Sequence, residues 1–112
     1  MKSITFQILG NDWTLNSMSF KQFANKHGDN WDAQAITDAD LKEIDLIPRG
    51  LTRATIIHEL VHAYLHEMCM GSVDFDDDNL EEVFAELMSY RGEEILTLST
   101  NLLKRIKKGS KK

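Results

Sequence analysis

The chain has 112 residues, of which 42% are hydrophobic and 28% charged, and its formal net charge is -5. That length and apolar content suit one domain with a real core, and the acidic balance argues against general nucleic-acid binding. No run of about 18 apolar residues occurs and "MKSITFQILGNDW" lacks a secretory-signal pattern, while a single cysteine, Cys69, cannot close an internal disulfide. A cytoplasmic chain with no membrane partner is expected.

In chain order, "SITFQILGNDWTLNSMS" predicts two strands around a turn at Gly10, Asn11 and Asp12, because apolar and β-branched residues flank a cluster that tolerates positive φ. "FKQFANKHG" predicts a short helix with Phe20, Phe23 and Ala24 on one face and Gly28 at its end. "AQAITDADLKEIDLIP" then predicts short strands over 34–37 and 42–47, joined over Asp38, Ala39 and Asp40 and stopped by Pro48.

From Leu51 onward Ala54, Ile57, Val61, Leu65 and Met68 recur at three and four, which predicts a helix to about Cys69 with one face buried. "GSVDFDDDN" reads as a polar loop, with Asp78 or Asn79 as the cap of a second long helix. That helix carries Leu80, Val83, Phe84, Leu87 and Met88, and extends past Gly92, a site for a bend, through Ile95, Leu98, Leu102 and Ile106. The domain is expected over 1–103. Lys104, Arg105, Lys107, Lys108, Lys111 and Lys112 make 104–112 a basic tail, read as complementing the negative pole of the last helix more than as a phosphate-binding surface.

The stretch "ATIIHELVHAYLHEMC" carries the chemistry. His58 and His62 are four residues apart, so a helix stacks them on one face about 6 Å along its axis, where both imidazoles can grip one ion. Glu59 follows the first histidine, and "HELVH" therefore matches H-E-x-x-H, in which two histidines bind zinc and the glutamate is the general base. His66 lies about 12 Å along the axis from His58, too far for a continuous helix to bring both to one ion. It is read as a flanking residue. The third donor must come from elsewhere, and the second long helix offers Glu81, Glu82 and Glu86.

With "HELVH" and "EEVFAE" the chain resembles the zincin metallopeptidases of the thermolysin-like, glutamate-ligand kind. It also resembles the short zincin-like proteins of bacteriophages and mobile elements and, more distantly, ImmA/IrrE-like peptidases, over roughly residues 33 to 95. In the thermolysin-like, glutamate-ligand group the third zinc ligand is a glutamate about twenty residues beyond the second histidine, on a following helix, and an Asp four residues later often orients a zinc histidine. The resemblance implies Glu82, twenty residues after His62, as that ligand and Glu86 as the partner of His58, with Glu standing where the family has Asp. Val83, Phe84 and Leu87 should then pack inward, leaving Glu82 and Glu86 on a neighbouring stripe. The implied fold is α+β, a minimal zincin-like arrangement with a small mixed sheet packed on the motif helix and on a C-terminal glutamate-bearing helix.

The expected function is that of a zinc metallopeptidase with one Zn2+ per chain, acting on a peptide or protein substrate, in which Glu59 takes a proton from metal-activated water. The second of the two short strands, just before the motif helix, is expected to hold an extended substrate by backbone pairing. Tyr64, His66, Tyr90 and Arg91 all remain open as stabilisers of an oxyanion. Two other classes stand beside this one: a zinc-binding module that regulates or poisons by binding a protein, and a helical interaction protein without metal. Weaker patterns fall away. Asp74, Asp76 and Asp78 alternate as in an EF-hand, but Asn79 stands where glycine is required and Ala85 where a bidentate glutamate belongs. Cys69, Trp13 and Trp31 read as core residues.

Overall fold

The computed structural model describes residues 1–28, 34–68 and 77–109, with side chains over 82–108 in the last stretch. Trp31, Cys69, the acidic segment through Asp76, the side chains of Asp78, Asn79 and Glu81, and Lys111 and Lys112 lie outside the described residues. The elements are β1 (Lys2–Ile8), β2 (Asn11–Ser17), α1 (Phe20–His27), β3 (Ala35–Asp38), β4 (Glu43–Leu46), a short 3-10 turn at Pro48–Gly50, α2 (Arg53–Glu67) and α3 (Asp77–Gly109). They form an α+β domain around one four-stranded mixed sheet of order β1-β2-β4-β3.

The hairpin turns one residue earlier than its turn residues suggest. Leu9 and Gly10, at φ 50° and 85°, make the two-residue loop, and Asn11 and Asp12 join β2. The register explains this: Phe6 opposite Trp13 and Ile4 opposite Leu15 put the apolar residues of both strands on one face, and a slip of one residue would turn half of them to water. Holding Leu9 in the left-handed region costs about 1–2 kcal/mol, less than misplacing that face. β2 then pairs in parallel with β4, and β3 pairs antiparallel with β4 at the margin of the sheet. The strand leading into the motif helix is therefore interior, and the edges of the sheet are β1 and β3.

One face of the sheet, with Ile4, Phe6, Trp13, Leu15, Ile44 and Leu46, packs on α2 and α3 in the main core. On the other face α1 closes a smaller cluster of Met18, Phe23 and Ile47. Ser19 starts α1 with a reciprocal capping box to Gln22, and Gly28, at φ 91°, ends it as expected. Phe20 is exposed, and Phe23 is the residue of that helix that is fully buried.

Thr52 caps α2 by accepting from the Thr55 N–H. Its buried arc is Ile56, Leu60, Ala63 and Tyr64, rotated from the expected stripe: Ile57, Val61, Leu65 and Met68 are half-buried beside it and Ala54 is exposed. The helix lies between the sheet and α3, so two adjacent stripes are covered and one remains for water. α3 runs unbroken through Gly92 and is already helical at Asp77, upstream of the expected caps. Residues 104–109 are its last turns, not a separate tail, because Ile106 packs into the core. No described helix is long and apolar enough to cross a membrane.

Gly50 ties the turn before α2 to the start of β3. A Cβ there would stand 2.6 Å from the backbone oxygen of Gln34, which also accepts from the Ile47 N–H at 3.1 Å. Gly50→Ala is expected to destabilise the fold by about 1–3 kcal/mol, as overpacking against backbone does. Urea denaturation checks this, and an unchanged midpoint would show that β3 yields freely.

Candidate metal centre

The stripe of α2 left to water is Ala54, His58, His62 and His66, each exposed and each one turn from the next. The His58 and His62 rings stand with centroids 5.0 Å apart and planes at 72°. That spacing suits two imidazoles converging on one ion at zinc–nitrogen distances of about 2.0–2.1 Å. His66 lies one turn further on, edge-on to Trp13 at 6.4 Å, where its neighbour is the core indole and not the other two rings.

Glu59 points away from that stripe by the 100° that one residue imposes, and its side chain is only 9% exposed while that of His58 is 69% exposed. Oε1 accepts from the Thr37 hydroxyl of β3 at 2.7 Å, and Oε2 stands 3.9 Å from His58 Nε2. A carboxylate taken out of water needs a donor, and the edge strand supplies one. A shallow cleft of about 410 Å3 lies here, lined by Gln34, Ala35, Ala54, Thr55, His58 and Glu59.

The structure thus brings together His58, His62 and Glu59. Glu82 and Glu86 are exposed on α3, and among the described residues no group of three His, Cys, Asp or Glu side chains could hold a metal ion. The first turns of α3 also differ from expectation: Leu87 is buried and Val83 half-buried, but Phe84 is 55% exposed. Among the described side chains of α3, Leu87 is the first that is fully buried, and Phe84 does not pack inward beside the glutamates.

Tyr64, Tyr90 and Arg91 share a different cleft of about 880 Å3 with Glu94, Thr97 and Asn101. The Tyr64 hydroxyl donates to Glu94 Oε2 at 2.6 Å, and Arg91 pairs with Glu94 at 3.5 Å. Burial, then the Glu94 carboxylate, push the Tyr64 phenol well above its ordinary range. Tyr64 and Arg91 are thus both committed to Glu94, in a cleft whose lining includes neither His58 nor Glu59.

Thr37 carries no motif, and its place in the site follows only from β3 being an edge. The clue within the sequence is its strand alternation, which puts Ala35 and Thr37 on one face. No protein-family model, curated protein or solved structure matches the chain.

Proposed function

We propose that this chain is a zinc metallopeptidase of the zincin kind that cleaves extended peptide segments. The observation that supports it best is the pairing of two exposed imidazoles with a buried glutamate beside them, an arrangement that suits two metal ligands and a separate base. His58 and His62 would hold the ion, with Glu82 as the third donor on the spacing that the zincin resemblance implies and Glu86 as the residue orienting His58. When bound, Zn2+ supplies a Lewis acid that polarises a carbonyl and acidifies water.

The chain's own residues do the rest. Glu59 accepts the proton of the attacking water and returns it to the leaving amine, and the low exposure of its carboxylate limits competing solvation. The substrate strand would be held by β3. Ile47 N–H donates to Gln34 O, and the register continues with Ile36 opposite Asp45 and Asp38 opposite Glu43. In an antiparallel pair these alternate residues turn their backbone groups to β4, which leaves those of Ala35 and Thr37 directed at the free edge. An extended peptide can add there as a further strand.

One observation favours the zinc-dependent binding module as a second reading. Tyr64 and Arg91, two of the residues that could have stabilised an oxyanion, are bonded to Glu94 in another cleft. Elemental analysis of untagged protein is the first test, with about one zinc per chain expected and a loss of metal in His58→Ala and His62→Ala. Glu82→Ala should weaken zinc far more than Glu81→Ala, and Glu86→Ala should cost about 10 to 100-fold. Metal content well below stoichiometric after adding Zn2+ would sink both zinc readings. Zinc without hydrolysis of an unfolded casein probe would leave the binding module.

A further inference from the structure

The Thr37 hydroxyl stands 2.7 Å from Glu59 Oε1 and 3.2 Å from the Glu59 backbone oxygen. One hydroxyl has one proton, and the shorter contact, to the carboxylate, takes it. The two oxygens of Glu59 therefore have different neighbours: Oε1 is tied to the sheet edge and Oε2 is left toward His58 Nε2 at 3.9 Å. A glutamate side chain has three rotatable bonds, and without that tie its carboxylate could present either oxygen at several angles.

Thr37 is itself held firmly. It lies inside β3 opposite Ile44, and its β-branched side chain has few rotamers in a strand. The same residue turns its N–H and C=O to the free edge. Its hydroxyl reaches the base and its backbone reaches the surface where a peptide strand can pair.

We propose that Thr37 is a positioning residue for Glu59: its hydroxyl selects the carboxylate oxygen that faces the histidine pair and sets the base in register with a peptide paired on β3. This rests on the metallopeptidase reading for its consequence in turnover. The tie itself is a property of the fold.

The test compares Thr37→Val, which keeps the shape and β propensity without the hydroxyl, with Thr37→Ser, which keeps the hydroxyl. Each is loaded with Zn2+ and assayed on unfolded casein for kcat and KM separately, with zinc affinity and a crystal structure measured alongside. Thr37→Val is expected to lower kcat by about 10 to 100-fold, the cost of a misplaced catalytic group, with KM and zinc affinity close to wild type. Thr37→Ser should recover most of that loss. In the crystal structures the Glu59 carboxylate should leave its place in Thr37→Val and keep it in Thr37→Ser.

A wild-type kcat in Thr37→Val, a loss confined to KM or zinc affinity, or a Thr37→Ser as poor as Thr37→Val would overturn the proposal. So would a Glu59 carboxylate unmoved in Thr37→Val. Wild-type protein that binds Zn2+ but cleaves nothing overturns the metallopeptidase reading instead. In that case the two crystal structures alone decide whether Thr37 positions Glu59.

Discussion

Replacing Glu59 by Gln is expected to abolish most hydrolysis of an unfolded peptide while leaving zinc content and folding intact. Gln has the length and volume of Glu, and its amide oxygen can still accept from the Thr37 hydroxyl that now meets Oε1 at 2.7 Å. What it lacks is a basic oxygen for a proton. General-base assistance is worth about 10² to 10⁴-fold, so kcat should fall by at least a hundredfold or so, with KM little changed. Zinc should stay because Glu59 is not among the proposed ligands. The measurement is peptide release from casein by mass spectrometry, with metal content on the same samples. Turnover within a few-fold of wild type would show that Glu59 is not the base, whereas loss of zinc would show that it is a ligand.

Much of the framework was legible because local signals agreed with the tertiary outcome. Gly28 ends α1 as expected, and the spacing of His58, Glu59 and His62 was a sufficient clue to an exposed histidine pair. The orientation of α2 was less legible, since apolar residues occupy both Ile56-Leu60-Ala63 and Ile57-Val61-Leu65, and only the position of α3 decides which stripe is deepest. Sheet order is non-local. β2 pairs in parallel with β4 across the intervening α1 and β3, so no short-range pattern reveals that β3 lies at the edge. For the same reason strand alternation gives the face that Thr37 shares with Ala35 but not its neighbour Glu59. Glu82 is the opposite case: its spacing from His62 stands out in the sequence, and on α3 its side chain is exposed, as those of His58 and His62 are on α2.

Asp45→Asn should cost about 3 kcal/mol at neutral pH and should also blunt the loss of stability in acid. Asp45 sits on the α1 side of β4 with its side chain only 1% exposed. Oδ1 accepts from Asn16 Nδ2 at 2.8 Å, and Oδ2 meets His27 Nε2 at 2.8 Å and Lys26 Nζ at 2.7 Å. Asn16 in turn accepts from the Ser3 hydroxyl, so one carboxylate links β1, β2, β4 and α1. Burial alone would favour the neutral acid, but the hydrogen bonds from Lys26, Asn16 and His27 outweigh it and hold the carboxyl below its ordinary value of 3.8. A carboxyl lowered by folding contributes stability above its unfolded value, and that contribution is lost as the pH falls through the folded one. Glu67, held below its ordinary 4.5 by Lys42 and Asn11 against the cost of burial, acts in the same direction. Wild-type protein should therefore lose stability steeply below about pH 4. Asn cannot titrate, and its amide leaves Lys26 and His27 without their shared anion, the costly way to break a buried pair. Lys26 keeps Glu43 at 2.7 Å, which limits the damage on the exposed side. Urea unfolding followed by circular dichroism at pH 7, 5 and 3 checks both parts: the variant should be much weaker than wild type at pH 7, and the gap should narrow at pH 3. Parallel acid limbs in the two proteins would place the acid-sensitive group elsewhere, with Glu67 the next carboxylate to replace.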